Sequence, residues 1–162
     1  MRNWKNRISE HISYTEAIKS RTAIKLGINN IPDEETLKRM KYVAENVFEP
    51  LREHFGVPIA ITSFYRDKRL NTALGGSKTS EHVYGSAMDI DADVLQMVSN
   101  KEIFEFIKNN LEFNQLIWEF GTDKDPAWIH VSCKEERNKK DIQKAYKSKN
   151  CTVKFITKYK KI

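Results

Sequence analysis

Residues 113–133 read FNQLIWEFGTDKDPAWIHVSC, two apolar runs around a polar connection. Each run alternates as a strand does. In WIHVS, Ile129 and Val131 fall on one side while Trp128, His130 and Ser132 fall on the other. The seven residues GTDKDPA between the runs are rich in Gly, Asp and Pro, which is turn chemistry, so FNQLIWEF and WIHVSC are expected to pair as a hairpin. Upstream, AMDIDA (87–92) is a third short strand, with Ala87, Asp89 and Asp91 on one face and Met88 and Ile90 on the other.

The earlier part of the chain reads as helix. YTEAIKSRTAIKLGI forms a short helix closed by Gly27, and residues 33–56 carry Leu37, Met40, Ala44, Val47, Phe48, Leu51 and Phe55 along one helical face. Pro50 is expected to kink or split that helix. VPIAITSFYR reads as a strand through Val57, Ile59 and Ile61, and DKRLNTALGGSKTS as a helical turn followed by a Gly-Ser loop. SNKEIFEFIKNNL opens with a Ser99–Glu102 capping box, and CTVKFITKY adds a last strand. Helices gather early and strands late, so the expected fold class is α+β, a small antiparallel β-sheet flanked by helices.

A chain of 162 residues with 40% hydrophobic and 31% charged residues suits one globular domain, residues 1–162. No run approaches the roughly 20 apolar residues of a membrane span, and the polar N-terminus lacks the apolar segment of a signal peptide. The net charge of +6 is concentrated in a basic C-terminal segment, 134–162, with eleven Lys and Arg against three Asp and Glu. Such a segment suits anionic wall polymers, nucleic acid, an acidic membrane surface or simple solvation. Tyr146, Phe155 and Tyr159 are interleaved there, without a nucleic-acid motif. Cys133 and Cys151 lack CxxC spacing and read as free thiols, with a single disulfide as the alternative.

The chain has four histidines. His54 ends an amphipathic helix and reads as structural, and His11 has no evident partner. His82 and His130 sit beside turn or strand residues in apolar company. A sheet can present Asp89 and His130 on one surface, with His82 arriving from the preceding loop. Two imidazoles and a carboxylate suit a catalytic zinc set with one open position; the alternative is satisfied polar groups at strand ends.

SEHVYGSAMD (80–89) matches the pattern S-x-H-x-x-G-x-A-x-D and resembles the first metal motif of the zinc D-alanyl-D-alanine peptidases and related peptidoglycan hydrolases. That family includes phage endolysins and shares its fold with hedgehog domains. ITSFYRDKRLNTALGGSKTSEH, QLIWEFGTDKDPAWIHVS and KSRTAIKLGINNIP are similar to further stretches of it, the last to its phage-type branch. The resemblance implies a hedgehog/DD-peptidase-like fold, Zn²⁺ on His82, Asp89 and His130, a turn at Gly85, and Ser80 bonding near the metal. It implies that Arg66 steadies the substrate carbonyl or the developing oxyanion. Asp91 either orients a ligand histidine or is solvated. Many relatives carry an acid three residues before the last histidine, where this chain has Ala127. Glu119 and Asp125 are the substitutes, and a strand end favours Glu119 as general base. Phe64 replaces a family glycine and is expected in the cleft wall.

The implied activity is zinc-dependent hydrolysis of an amide in a peptidoglycan stem or cross-bridge peptide, by a monomer made in the cytoplasm that acts at the wall after release or in the virion. The alternative is a non-catalytic metal-containing binding or phage structural module. A nucleic-acid-binding role for the basic end is a weaker third.

Overall fold

The helical periodicity of residues 33–56 is realised, and Pro50 shapes how. In the computed structural model, which describes residues 6–148 and 152–157, α3 (Glu34–Val43) continues through a π-helical turn, Ala44–Phe48, into α4 (Glu49–Phe55). An unbroken α-helix would need a Pro50 N–H to reach Asn46 and would press the ring on that carbonyl. The wider turn, in which the Glu49 N–H reaches back to the Ala44 carbonyl, falls just before the proline and spares both. The expected helix over YTEAIKSRTAIKLGI is instead two: α1 (Tyr14–Ile18) and α2 (Arg21–Leu26). Lys19 is extended, and the Ser20 hydroxyl accepts from the Ala23 N–H to start the second.

Six strands form one sheet in the order β1-β2-β4-β3-β5-β6. They are β1 (Ile61–Ser63), β2 (Ala87–Ile90), β3 (Gln115–Glu119), β4 (Trp128–Ser132), β5 (Asp141–Lys147) and β6 (Val153–Ile156). The described residues include two further α-helices, α5 (Lys68–Ala73) and α6 (Asn100–Asn110), the latter with its Ser99–Glu102 capping box in place. The architecture is α+β. The sheet is mostly antiparallel, and the hairpin of β3 and β4 forms with Glu119 opposite Trp128.

Two expectations change. β1 is shorter than VPIAITSFYR suggested: Pro58 has no N–H for a ladder, and pairing with β2 begins only at Ile61. The basic segment adds two strands to the sheet: β6 realises the strand expected in CTVKFITKY, while β5, not expected, lies parallel to β3 and is itself paired by β6. DIQKAYK lacks strict alternation, so nothing local marked it as a strand. Cys133 is a buried free thiol, and burial pushes its pKa up. Cys151 and Tyr159 lie outside the described residues, and the disulfide alternative with them.

One sheet face is the core. Met88, Ile90, Leu116, Trp118, Ile129 and Val131 pack against α3, the π-helical turn, α4 and α6 through Met40, Val47, Leu51, Ile103, Phe104 and Ile107. Fully burying each such side chain contributes roughly 1.5–3 kcal/mol. Among the described residues no helix is long and apolar enough to cross a membrane.

Candidate metal centre

The opposite face holds the chemistry, because strand alternation sends every second residue there. Asp89 pairs in register with His130, and His130 with Ile117, so the carboxylate and one imidazole are neighbours on adjacent strands. His82 comes from outside the sheet, on a 3-10 turn, Glu81–Tyr84. Two features fix that turn. Gly85 caps it at φ +71°, and a Cβ there would stand 2.8 Å from the Thr36 carbonyl oxygen and 2.7 Å from the Met40 side chain, so only glycine lets α3 come this close. The carboxylate of Glu81, one residue before the histidine, accepts from Asn114 (2.9 Å) and Lys134 (2.5 Å) and ties the turn to the sheet.

The His82 ring is oriented by backbone. Its Nδ1–H donates to the Phe64 carbonyl at 2.6 Å, and the Arg66 N–H returns a bond to the His82 carbonyl at 3.3 Å. With Nδ1 committed as donor, the neutral ring points its Nε2 lone pair at Asp89 Oδ1, 3.1 Å away. His130 Nδ1 lies 2.9 Å from the same oxygen. Two acceptors at 3.1 Å repel unless a positive centre lies between them. A proton on His82 is disfavoured, since burial lowers its pKa in spite of the Asp89 carboxylate. For Asp89, burial alone would raise the pKa, yet positive charge on the imidazole side of the carboxylate, with the hydrogen bond from His130, holds it well below the usual carboxylate range. Ligand atoms of His82, Asp89 and His130 all lie within 4.8 Å of one another, and all three residues are buried. The donor set therefore fits a divalent cation: two imidazoles, one anionic carboxylate and a gap that asks for positive charge.

Around this trio lies a cleft of about 510 Å³, lined by Arg66, Ser80, Glu119, Trp128 and Gln143 among others. The Arg66 Nε donates to Ser63 Oγ (2.8 Å) and its Nη2 to Asp89 Oδ2 (2.5 Å), which places the guanidinium at the cleft edge. Burial is the main influence on Glu119 and raises its carboxyl to about 7, with His130 and Arg66 opposing and Asp89 adding to the rise.

Several residues fall elsewhere. Asp125 is not among the residues lining the cleft; its carboxylate accepts the Lys101 N–H at the start of α6 (2.7 Å). Asp91 orients no histidine, because its carboxylate accepts from Asn100 and from the Asp93 N–H. Phe64 does not wall the cleft: its ring is in the core and its carbonyl is the working atom. His11 pairs with Glu49, and His54 stacks on Phe106.

Two buried asparagines escaped sequence reasoning. Asn30 donates to the carbonyls of Ile18 and Tyr65 and accepts the Asp67 N–H, fastening both sides of Arg66. Asn100 holds the β3–β4 connection to the turn after β2 through Ala92, Asp91, Pro126 and Ala127. A single asparagine in a loop or helix start carries no periodic signal, so neither was legible.

A comparison with curated proteins found no match. Residues 10–132 match the sequence profile of the family described as peptidase M15, a span that contains His82, Asp89, His130, Arg66 and Glu119 and stops before β5. The buried His-Asp-His centre and this match agree, and the chain belongs to the peptidase M15 family.

Proposed function

We propose that this chain is a single-domain zinc peptidase, residues 1–162, that hydrolyses an amide bond in a peptidoglycan stem or cross-bridge peptide. The observation that carries the reading is His82 Nε2 facing Asp89 Oδ1 across 3.1 Å, in a cleft that also holds Glu119. His82, Asp89 and His130 would hold the ion. A zinc ion held there would supply Lewis acidity, lowering the pKa of a bound water to about 7 and polarising the scissile carbonyl.

The remaining work falls to the chain. Glu119 accepts the proton of the attacking water and passes it to the leaving amine, a role suited to a carboxyl held near neutrality by burial. Arg66, anchored through Ser63, offers a fixed planar cation to the oxygen on which charge develops. Ser80, on the cleft rim, contacts the bound peptide. Glu119 takes the place of the acid missing at Ala127: it projects from a strand end into the cleft, whereas Asp125 is engaged at α6.

The resemblance to phage-type relatives supports a site of action at the cell wall, as an endolysin or a virion-borne lysin. Ala127 is the observation favouring a second reading, a module of the same fold that binds metal without catalysis. Metal analysis of the purified protein, paired with mass spectrometry of digested peptidoglycan, separates the two. Zinc near one equivalent with new amine termini is expected; zinc-loaded protein that releases none sinks the hydrolase and leaves the binding module.

A further inference from the structure

The row of residues that carries the ligands does not stop at β4. Asp89, His130, Ile117 and Gln143 follow one another in register across β2, β4, β3 and β5. The adjacent row on the same face runs Trp128, Glu119, Ala145 and Phe155. Gln143 and Phe155 therefore belong to the same cleft as the ligands, although they come from strands beyond the M15 match. Phe155 is 54% exposed, while Ala145, its cross-strand partner, is wholly buried and small. The result is a shallow floor over β5 between Glu119 and an aromatic wall.

We propose that the paired strands β5 and β6 form a peptide-selecting subsite, in which Gln143 bonds the main chain of an extended peptide and Phe155 packs on a side chain beyond it. This rests on the peptidase reading above. The Gln143 Nε2 donates to Asp141 at 2.7 Å, which fixes the amide and leaves its Oε1 for a substrate N–H. Neighbouring strands lie about 4.8 Å apart, so Gln143 is about 10 Å from the His130 strand and Phe155 about 14 Å. At about 3.3 Å per extended residue, these distances correspond to the third and fourth residues from the scissile bond. Peptides shorter than this cannot reach the wall.

A length series tests the subsite. Stem-derived peptides of two to five residues are offered to the full-length, zinc-loaded protein and kcat/KM is measured for each. A step of about tenfold is expected when the chain first reaches Phe155, carried mainly by KM. Phe155→Ala and Gln143→Ala should each lower the ratio of kcat/KM between the pentapeptide and the shortest peptide that is cut. A flat series, or a ratio unchanged in both variants, overturns the subsite. If the wild type cuts no peptide, the hydrolase reading fails separately. Pentapeptide binding to Glu119→Gln, with and without Phe155→Ala, then judges the subsite alone: weaker binding in the double variant sustains it, and equal binding overturns it.

Discussion

The two faces of the sheet are built from the same strands and differ in how their side chains are satisfied. On one face Met88, Ile90, Ile129 and Val131 are fully buried and need only shape to fit the helices. On the other, Asp89 and His130 are almost as deeply buried but are polar, and they tolerate burial because Asp89 is answered by both His130 and Arg66. Stability is concentrated on the first face. Chemistry is concentrated on the second, where each group depends on its partners.

That division can be broken experimentally. His130→Ala should lower activity by at least about a thousandfold, because the ion contributes several kcal/mol to stabilising developing charge. Metal content should fall with it, measured by elemental analysis of dialysed protein; retained stoichiometric zinc would contradict the ligand assignment. Glu119→Gln is expected to reduce kcat by about 10²–10⁴-fold with zinc still bound. The complementary change on the core face, Ile129→Ala, should cost about 2–5 kcal/mol in denaturant unfolding while activity per folded molecule persists. An Ile129 variant of unchanged stability but lost activity would erase the distinction between the faces. Gly85→Ala lies between them, adding about 1–2 kcal/mol for the left-handed backbone to the clash with Thr36, and should weaken metal binding by moving His82.

The smallest effect concerns pH. Burial pushes the Glu119 carboxyl up to about 7, above its unfolded value, so the protonated form favours folding. That contribution is complete below the unfolded value and disappears as pH rises through about 7. Glu119→Gln should therefore gain thermal stability relative to the wild type between pH 5 and 8, read as a difference in Tm. Adding zinc should draw the Glu119 midpoint downward, because a nearby cation favours the carboxylate. An NMR titration that places the midpoint in the ordinary carboxyl range without metal would remove the argument.

Legibility in the sequence followed the same division. Alternation in AMDI and WIHVS assigned core and cleft sides correctly, and the spacing of SEHVYGSAMD brought His82 beside Asp89. Backbone atoms were beyond its reach. The Phe64 carbonyl orients His82 whatever side chain residue 64 bears, and the buried ring gives the cleft no wall, so the residue type at 64 does not report its role. β5 was missed for another reason. Its partner is β3, more than twenty residues earlier, and no local pattern reports a parallel pairing at that range. Asp125 looked available because its loop is polar, and only the packing of α6 showed where its charge is used.

The insertion of β5 between β3 and β6 bears on synthesis. Until β5 has left the ribosome, Gln115–Glu119 (QLIWE) borders open solvent along one side, with an unpaired row of amides and carbonyls. A chain terminated before residue 141 keeps that flank uncovered for good. Nonsense or frameshift products cut there should self-associate through it.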